Sequence, residues 1–158
     1  MASDLKKEFE KIKLSKEFKK LNKNSYLSSC FLIDEKDAFW QFDFYNPDQD
    51  NIMIFTLKEK IEVKGPEKVL KEKGSKVEKL DLIKVKINFD KAIKKIAEFK
   101  AKKYKNINID KTFVILQTTD KKPLWNISHL TQGKILNIRL DAVSGKIFDH
   151  RLEQIIKF

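Results

Sequence analysis

Apolar side chains recur along this chain with two different periods. Leu5, Phe9 and Ile12 stand four and three residues apart with lysines between them, which predicts an amphipathic helix. Ser3 or Asp4 can cap its first turn, and Phe18 and Leu21 extend the stripe to about Asn22, where Asn22-Lys23-Asn24 breaks it. The period then drops to two. Tyr26 to Asp34 reads as a strand, and Asp34-Glu35-Lys36-Asp37 as a polar turn. Ala38 to Tyr45 is a second strand with Trp40, Phe42 and Phe44 on one side and Gln41 and Asp43 on the other. Asn46-Pro47-Asp48 is turn chemistry. Asn51 to Leu57 is a third strand and Ile61 to Val63 a short fourth.

Gly65-Pro66 interrupts the pattern. Glu67 to Lys73 reads as a short helix ended by Gly74, and Leu80 to Ile87 as a strand in which Ile83, Val85 and Ile87 alternate with lysines. Helical spacing returns with Ala92, Ile93, Ile96 and Phe99, capped by Asn88 or Asp90. Three strands follow at Thr112 to Thr118, Leu124 to Leu130 and Ile135 to Leu140, then a last one at Lys146 to Leu152. Thr131-Gln132-Gly133 and Asp141-Ala142-Val143-Ser144-Gly145 are the turns, with Gly145 supplying a positive φ.

Both halves therefore read helix, strand, charged turn, tryptophan strand, turn, strand. SYLSSCFLIDEKDAFWQFDFY and DKTFVILQTTDKKPLWNISHL align without a gap when Trp40 is set on Trp125. A helix with one apolar stripe must bury it, and an antiparallel sheet with one apolar face is the natural cover. The expected fold class is α+β: two tandem units, each a helix on a three- to four-stranded antiparallel sheet. Residues 1–64 and 79–158 are the units, and 65–78 a linker with a short helix.

The second half carries FDKAIKKIAEFKAKKY, KPLWNISHL and GKILNIRLDAVSGKI in that order. This order resembles the PepSY domain family: a helix, a tryptophan strand, and a strand closing in Asp-Ala-x-Thr-Gly-Lys. Here the closing motif is Asp141, Ala142, Val143, Ser144, Gly145 and Lys146, with serine for threonine. The first half keeps Trp40, but Leu57-Lys58-Glu59-Lys60 lacks the aspartate and the glycine. The resemblance implies tandem PepSY-like, cystatin-like units without catalysis or cofactor. It further implies a protein partner such as a protease or an envelope protein, and an extracytoplasmic or membrane-tethered setting with the anchor outside this sequence. Met1-Ala2-Ser3-Asp4 has no export signal, which leaves a cytoplasmic alternative.

Composition changes this picture little. The net charge of +11 comes almost wholly from lysine, because Arg139 and Arg151 are the only arginines. Two arginines make a poor reader of bases, so specific nucleic-acid recognition is not expected. Lysine crowding at residues 6–23 and 94–105 supplies the alternative of docking on nucleic acid or weakly on an anionic membrane. A small-ligand site between helix and sheet is a third reading. Cys30 is the one cysteine, so no disulfide forms within the chain. His129 and His150 lack metal-spaced ligands, and no serine has a nucleophile context. Trp40, Trp125, Asp141, Ala142, Ser144, Gly145 and Lys146 are expected to define the fold. Gln41, Asp43, Asn126 and Asn137 are expected to line an exposed sheet face for a partner, with no catalytic, cofactor or metal site.

Overall fold

The computed structural model describes residues 4–69, 71 and 74–155. The first apolar stripe forms helices α1 (Leu5–Lys13) and α2 (Lys16–Lys19). Asp4 caps α1 by accepting from the amides of Lys6 and Lys7; Ser3 lies outside the described residues. Ser15 breaks the helix in two. Its hydroxyl donates to the Ile12 carbonyl and accepts from the Phe18 amide, so it ends one helix and caps the next. This local competition for backbone groups is what serine offers against continuous helix. Phe9, Phe18 and Leu21 still reach one core.

Strands β1 (Tyr26–Ile33), β2 (Gln41–Asn46), β3 (Asn51–Leu57) and β4 (Ile61–Lys68) follow. Helix α3 (Phe89–Lys103) comes next, capped by Asn88, whose side chain accepts the Lys91 amide. Strands β5 (Lys111–Thr119), β6 (Lys122–Thr131), β7 (Lys134–Asp141) and β8 (Ile147–Gln154) complete the chain. The β5–β6 and β6–β7 hairpins turn through Asp120-Lys121 and Gln132-Gly133, all at positive φ, the left-handed geometry that matches strand twist.

The expectation of two tandem helix-on-sheet units is wrong. All eight strands form one antiparallel sheet, ordered β4-β3-β2-β1-β5-β6-β7-β8. The two halves meet where β1 pairs with β5, from Ser29 opposite Gln117 to Ile33 opposite Phe113. The physical reason lies in edges and core. A four-stranded unit of this length leaves two open edges and buries little, whereas joining β1 to β5 removes two edges and merges two apolar faces. Cys30, Phe42, Leu116, Trp125 and Leu140 lie in one register row across five strands. All five are buried.

Other boundaries shift with it. The expected break between residues 64 and 65 falls inside β4, which runs on through a cis Gly65-Pro66 bond. The expected Glu67 to Lys73 helix begins as strand at Glu67 and Lys68, and residues 70, 72 and 73 lie outside the described residues. Leu80 to Ile87 is not a strand. Asp81 caps a single 3-10 turn (Leu82–Lys84) by accepting the Ile83 amide. The backbone around it is satisfied without strand pairing: Leu80 N–H donates to Leu27 O of β1, and the amides of Lys86 and Ile87 both donate to Ala142 O in the turn after β7. A segment whose amides are already taken has none to offer a sheet.

The helices cover one face only. Phe9 of α1 lies 6.0 Å from Phe42, and Phe89 of α3 lies 5.3 Å from Trp40 and 5.9 Å from Trp125. Trp40 and Trp125 are themselves 6.1 Å apart at the seam. The two indoles differ in one respect. Trp125 Nε1 donates to Ile87 O at 2.8 Å, while Trp40 Nε1 is buried without a hydrogen-bond partner among the described residues. Replacing each with phenylalanine leaves a similar void, but only Trp125→Phe also orphans a carbonyl. We expect Trp125→Phe to cost about 1–2 kcal/mol more than Trp40→Phe in urea unfolding. Equal losses would refute this division of roles.

Candidate functional site

The face of the sheet opposite the helices is open, and it gathers most of the unusual polar chemistry of the chain. Its residues follow from register. Thr56, Gln41, Phe31, Ile115, Asn126, Arg139 and Asp149 form one row across seven strands. Ile54, Asp43, Ser29, Gln117 and Leu124 form the next row. Phe113, Ser128, Asn137 and Arg151 lie in the row on the other side. The four positions expected on an exposed face, Gln41, Asp43, Asn126 and Asn137, all lie here. They fall into two patches rather than one. Between them runs an apolar band on β1 and β5, where Phe31 and Phe113 stack at 6.4 Å beside Ile33 and Ile115.

The β2 patch is built on Asp43. Its carboxylate accepts from Ser29 Oγ at 3.0 Å and from Gln41 Nε2 at 3.3 Å, and the described residues pair it with no lysine or arginine. Burial pushes its pKa up, offset in part by those hydrogen bonds, with Glu67 adding to the rise.

The β6–β8 patch is larger. Asn137 Nδ2 donates to Asn126 Oδ1 and to Ser128 Oγ at 2.9 Å, forming a ladder across two strands. Beside it stand both arginines of the chain with Asp149 between them. Arg151 Nη2 lies 3.3 Å from Asp149 Oδ2, and Arg139 Nε lies 4.0 Å from the same oxygen, too far for a hydrogen bond. Arg139 Nε is buried and has no hydrogen-bond partner among the described residues. Grooves of about 370 Å3 and about 420 Å3 meet at Arg139. The first is lined by Ser128, Asn137 and Arg151; the second by Lys122, Leu124, Phe148 and the Asp141 turn.

These arginines were visible in the sequence only as a compositional rarity. The missed signal was positional. Arg139 shares strand parity with Asn137, and Arg151 shares it with Asp149, so all four had to share a face once β7 and β8 paired.

Of the motif residues expected to define the fold, Trp40 stands apart in the first half, and those of the second half act as a single joint. Asp141 Oδ1 accepts the amides of Val143 at 2.7 Å and Ser144 at 3.1 Å, and Ser144 Oγ accepts the Lys146 amide at 3.2 Å. Burial raises the Asp141 pKa, but the two amides and the Lys122 charge outweigh it and hold the group below its usual range. Gly145 has φ +79°, and a Cβ there would stand 3.1 Å from Lys95 and 3.3 Å from Ile87. Ala142 is buried, its carbonyl taking two amides from the segment before α3. Trp125 takes the Ile87 carbonyl of that same segment. Together they fix where α3 begins.

Both histidines lie on the helix side. His129 Nδ1 is 2.8 Å from Thr112 Oγ1, and His150 Nδ1 is 2.6 Å from Tyr104 Oη. Cys30 is buried, and burial, with Asp43 and Glu8, pushes its thiol pKa up. Among the described residues no group of three or more His, Cys, Asp and Glu is placed to hold a metal ion. No described helix is long and apolar enough to cross a membrane.

No protein-family model and no curated protein matches the chain. Among solved structures it is similar to a "putative lipoprotein" from Clostridium difficile 630, with a TM-score of 0.63 and 13% identity. The match covers 95% of this chain and 93% of that one. At that identity the likeness speaks for a shared fold alone.

His129 yields a pH prediction. Burial, reinforced by Lys100, pushes its pKa down to about 4. An unfolded histidine protonates near pH 6.5 while the folded one stays neutral, so stability is intact above pH 6.5 and drains away as pH falls toward 4. We expect the wild type to lose about 3 kcal/mol more between pH 7 and pH 4 than His129→Gln. Parallel pH profiles from urea titrations would contradict it.

Proposed function

We propose that this chain is a non-catalytic protein-binding module, of the kind its PepSY resemblance implies, and that the open sheet face is its binding surface. One observation carries the reading: the helices cover one face, while the other presents an aromatic band flanked by two hydrogen-bonded polar patches. Binding surfaces commonly combine aromatic anchors, arginine and a polar surround. The absence of catalysis is supported by where the reactive groups sit. His129 is engaged by Thr112, His150 by Tyr104, and Cys30 is enclosed.

A protease or an envelope protein is the partner class that the resemblance favours. The extracytoplasmic or tethered setting draws on the same resemblance, and the similar structure is named a "putative lipoprotein". A second reading has its own observation. The three helices carry twelve lysines against five carboxylates, so the helix layer is the basic side of the molecule. That side suits an anionic membrane or nucleic acid.

One experiment separates the two. The wild type, an open-face variant (Gln117→Lys with Asn126→Lys) and a helix-layer variant (Lys94→Glu with Lys102→Glu) serve as baits in extract from the source cells. The proposal expects one protein enriched by the wild type and the helix-layer variant and lost from the open-face variant. Loss from the helix-layer variant alone, or no protein enriched by any bait, would overturn it.

A further inference from the structure

The sheet has two outer edges, and they are not alike. Edge β4 is blunted: Pro66 has no amide to donate, and the β3–β4 register shifts between Ile52 and Ile54. Proline and bulges are how natural sheets discourage further pairing. Edge β8 carries neither proline nor glycine over Ile147–Gln154, and its one register shift against β7, between Arg139 and Leu140, lies at its start and leaves Asp149 to Gln154 in regular register. It also leaves Phe148, Leu152 and Ile155 at 55%, 40% and 48% exposure.

The side chains of β8 alternate in a way that fits their own reflection. Register with β7 places Asp149, Arg151 and Glu153 on the open face and His150 and Leu152 on the helix side. Antiparallel pairing of β8 with a second β8 keeps each face with its like only if residues of equal parity oppose. A two-fold centred on Arg151 would set arginine on arginine and Asp149 on Glu153. A two-fold centred on Leu152 does the opposite. It sets Arg151 against the second copy's Glu153 twice over, and Leu152 against the second copy's Leu152.

We propose that two copies of this chain associate through β8, centred on Leu152, continuing the antiparallel sheet from one copy into the next. Such an isologous contact closes on itself and leaves only the two blunted β4 edges outside. It places both open faces on one side, so a partner would meet a surface of twice the width. A single strand pair is a small interface, so the dimer is weak and forms with rising concentration. Opposed charges across strands favour it, and like charges disfavour it.

The test is sedimentation equilibrium of the full chain from micromolar to millimolar concentration, in low salt. The wild type should approach twice the chain mass. Arg151→Glu alone and Glu153→Arg alone should each stay monomeric, since each sets like charges opposite. Mixing the two variants should restore dimer, because every cross-strand pair is then opposite in sign. Arg151 and Glu153 are both exposed, and thermal melts of the variants should match the wild type. A wild type that is monomeric throughout would overturn the proposal and leave the edge to an extended segment of another protein. So would single variants that dimerise as the wild type does, or a mixture that stays monomeric.

Discussion

The antiparallel pairing of β1 with β5 holds the rest of this molecule in place. Each half supplies four consecutive strands, and neither has a second layer of sheet to lean on. At the seam, Cys30 faces Leu116 and Leu32 faces Val114, and all four are buried. The two tryptophans meet above them with Phe89. An aromatic trio of this size removes several hundred Å2 of apolar surface from water, on the order of 150–250 Å2 per ring. Without the seam, each half would expose an edge strand and the flank of its core. With it, the helices share one side and the other side is left free. The open face is thus a consequence of how the halves join.

The two halves contribute unequally. The second carries a self-contained joint: the Asp141 turn holds itself, while Ala142 and Trp125 take the backbone that leads into α3. The first half has an indole in the matching place, but its N–H meets nothing among the described residues. Its helix is broken at Ser15, and its last strand ends the sheet in a proline-bearing edge. The first half therefore relies on the seam for its position, and the second fixes its own helix.

Local features were legible in the sequence, and their assembly was not. Side-chain alternation placed Trp40, Phe42 and Phe44 on one face and Gln41 and Asp43 on the other, as the structure has them. The Asp141 to Gly145 turn and the Asn88 cap could be read from residue chemistry alone. The β1–β5 pairing could not. Both strands are apolar on the core side and mixed on the other, a pattern that fits an edge or a centre equally well. The Leu80 to Ile87 segment misled for a different reason: it alternates like a strand, but Asp81 and the Ala142 carbonyl had already claimed its backbone. The pairing of Arg139 and Arg151 around Asp149 needed the β7–β8 register before it could be seen. The open face proposed for binding was half visible, through four polar positions whose division into two patches depends on the same seam.

If the seam governs the fold, the two halves must unfold as one. Native-state hydrogen exchange in low urea tests this directly, strand by strand. Amides of β1 and β5 should exchange only through global unfolding, and those of β2, β3, β6 and β7 should share that free energy to within about 1 kcal/mol. The contrary result is a first half whose β2 and β3 amides open several kcal/mol below those of β6 and β7. The halves would then fold as two separate units, and the β1–β5 seam would not be what holds the molecule together.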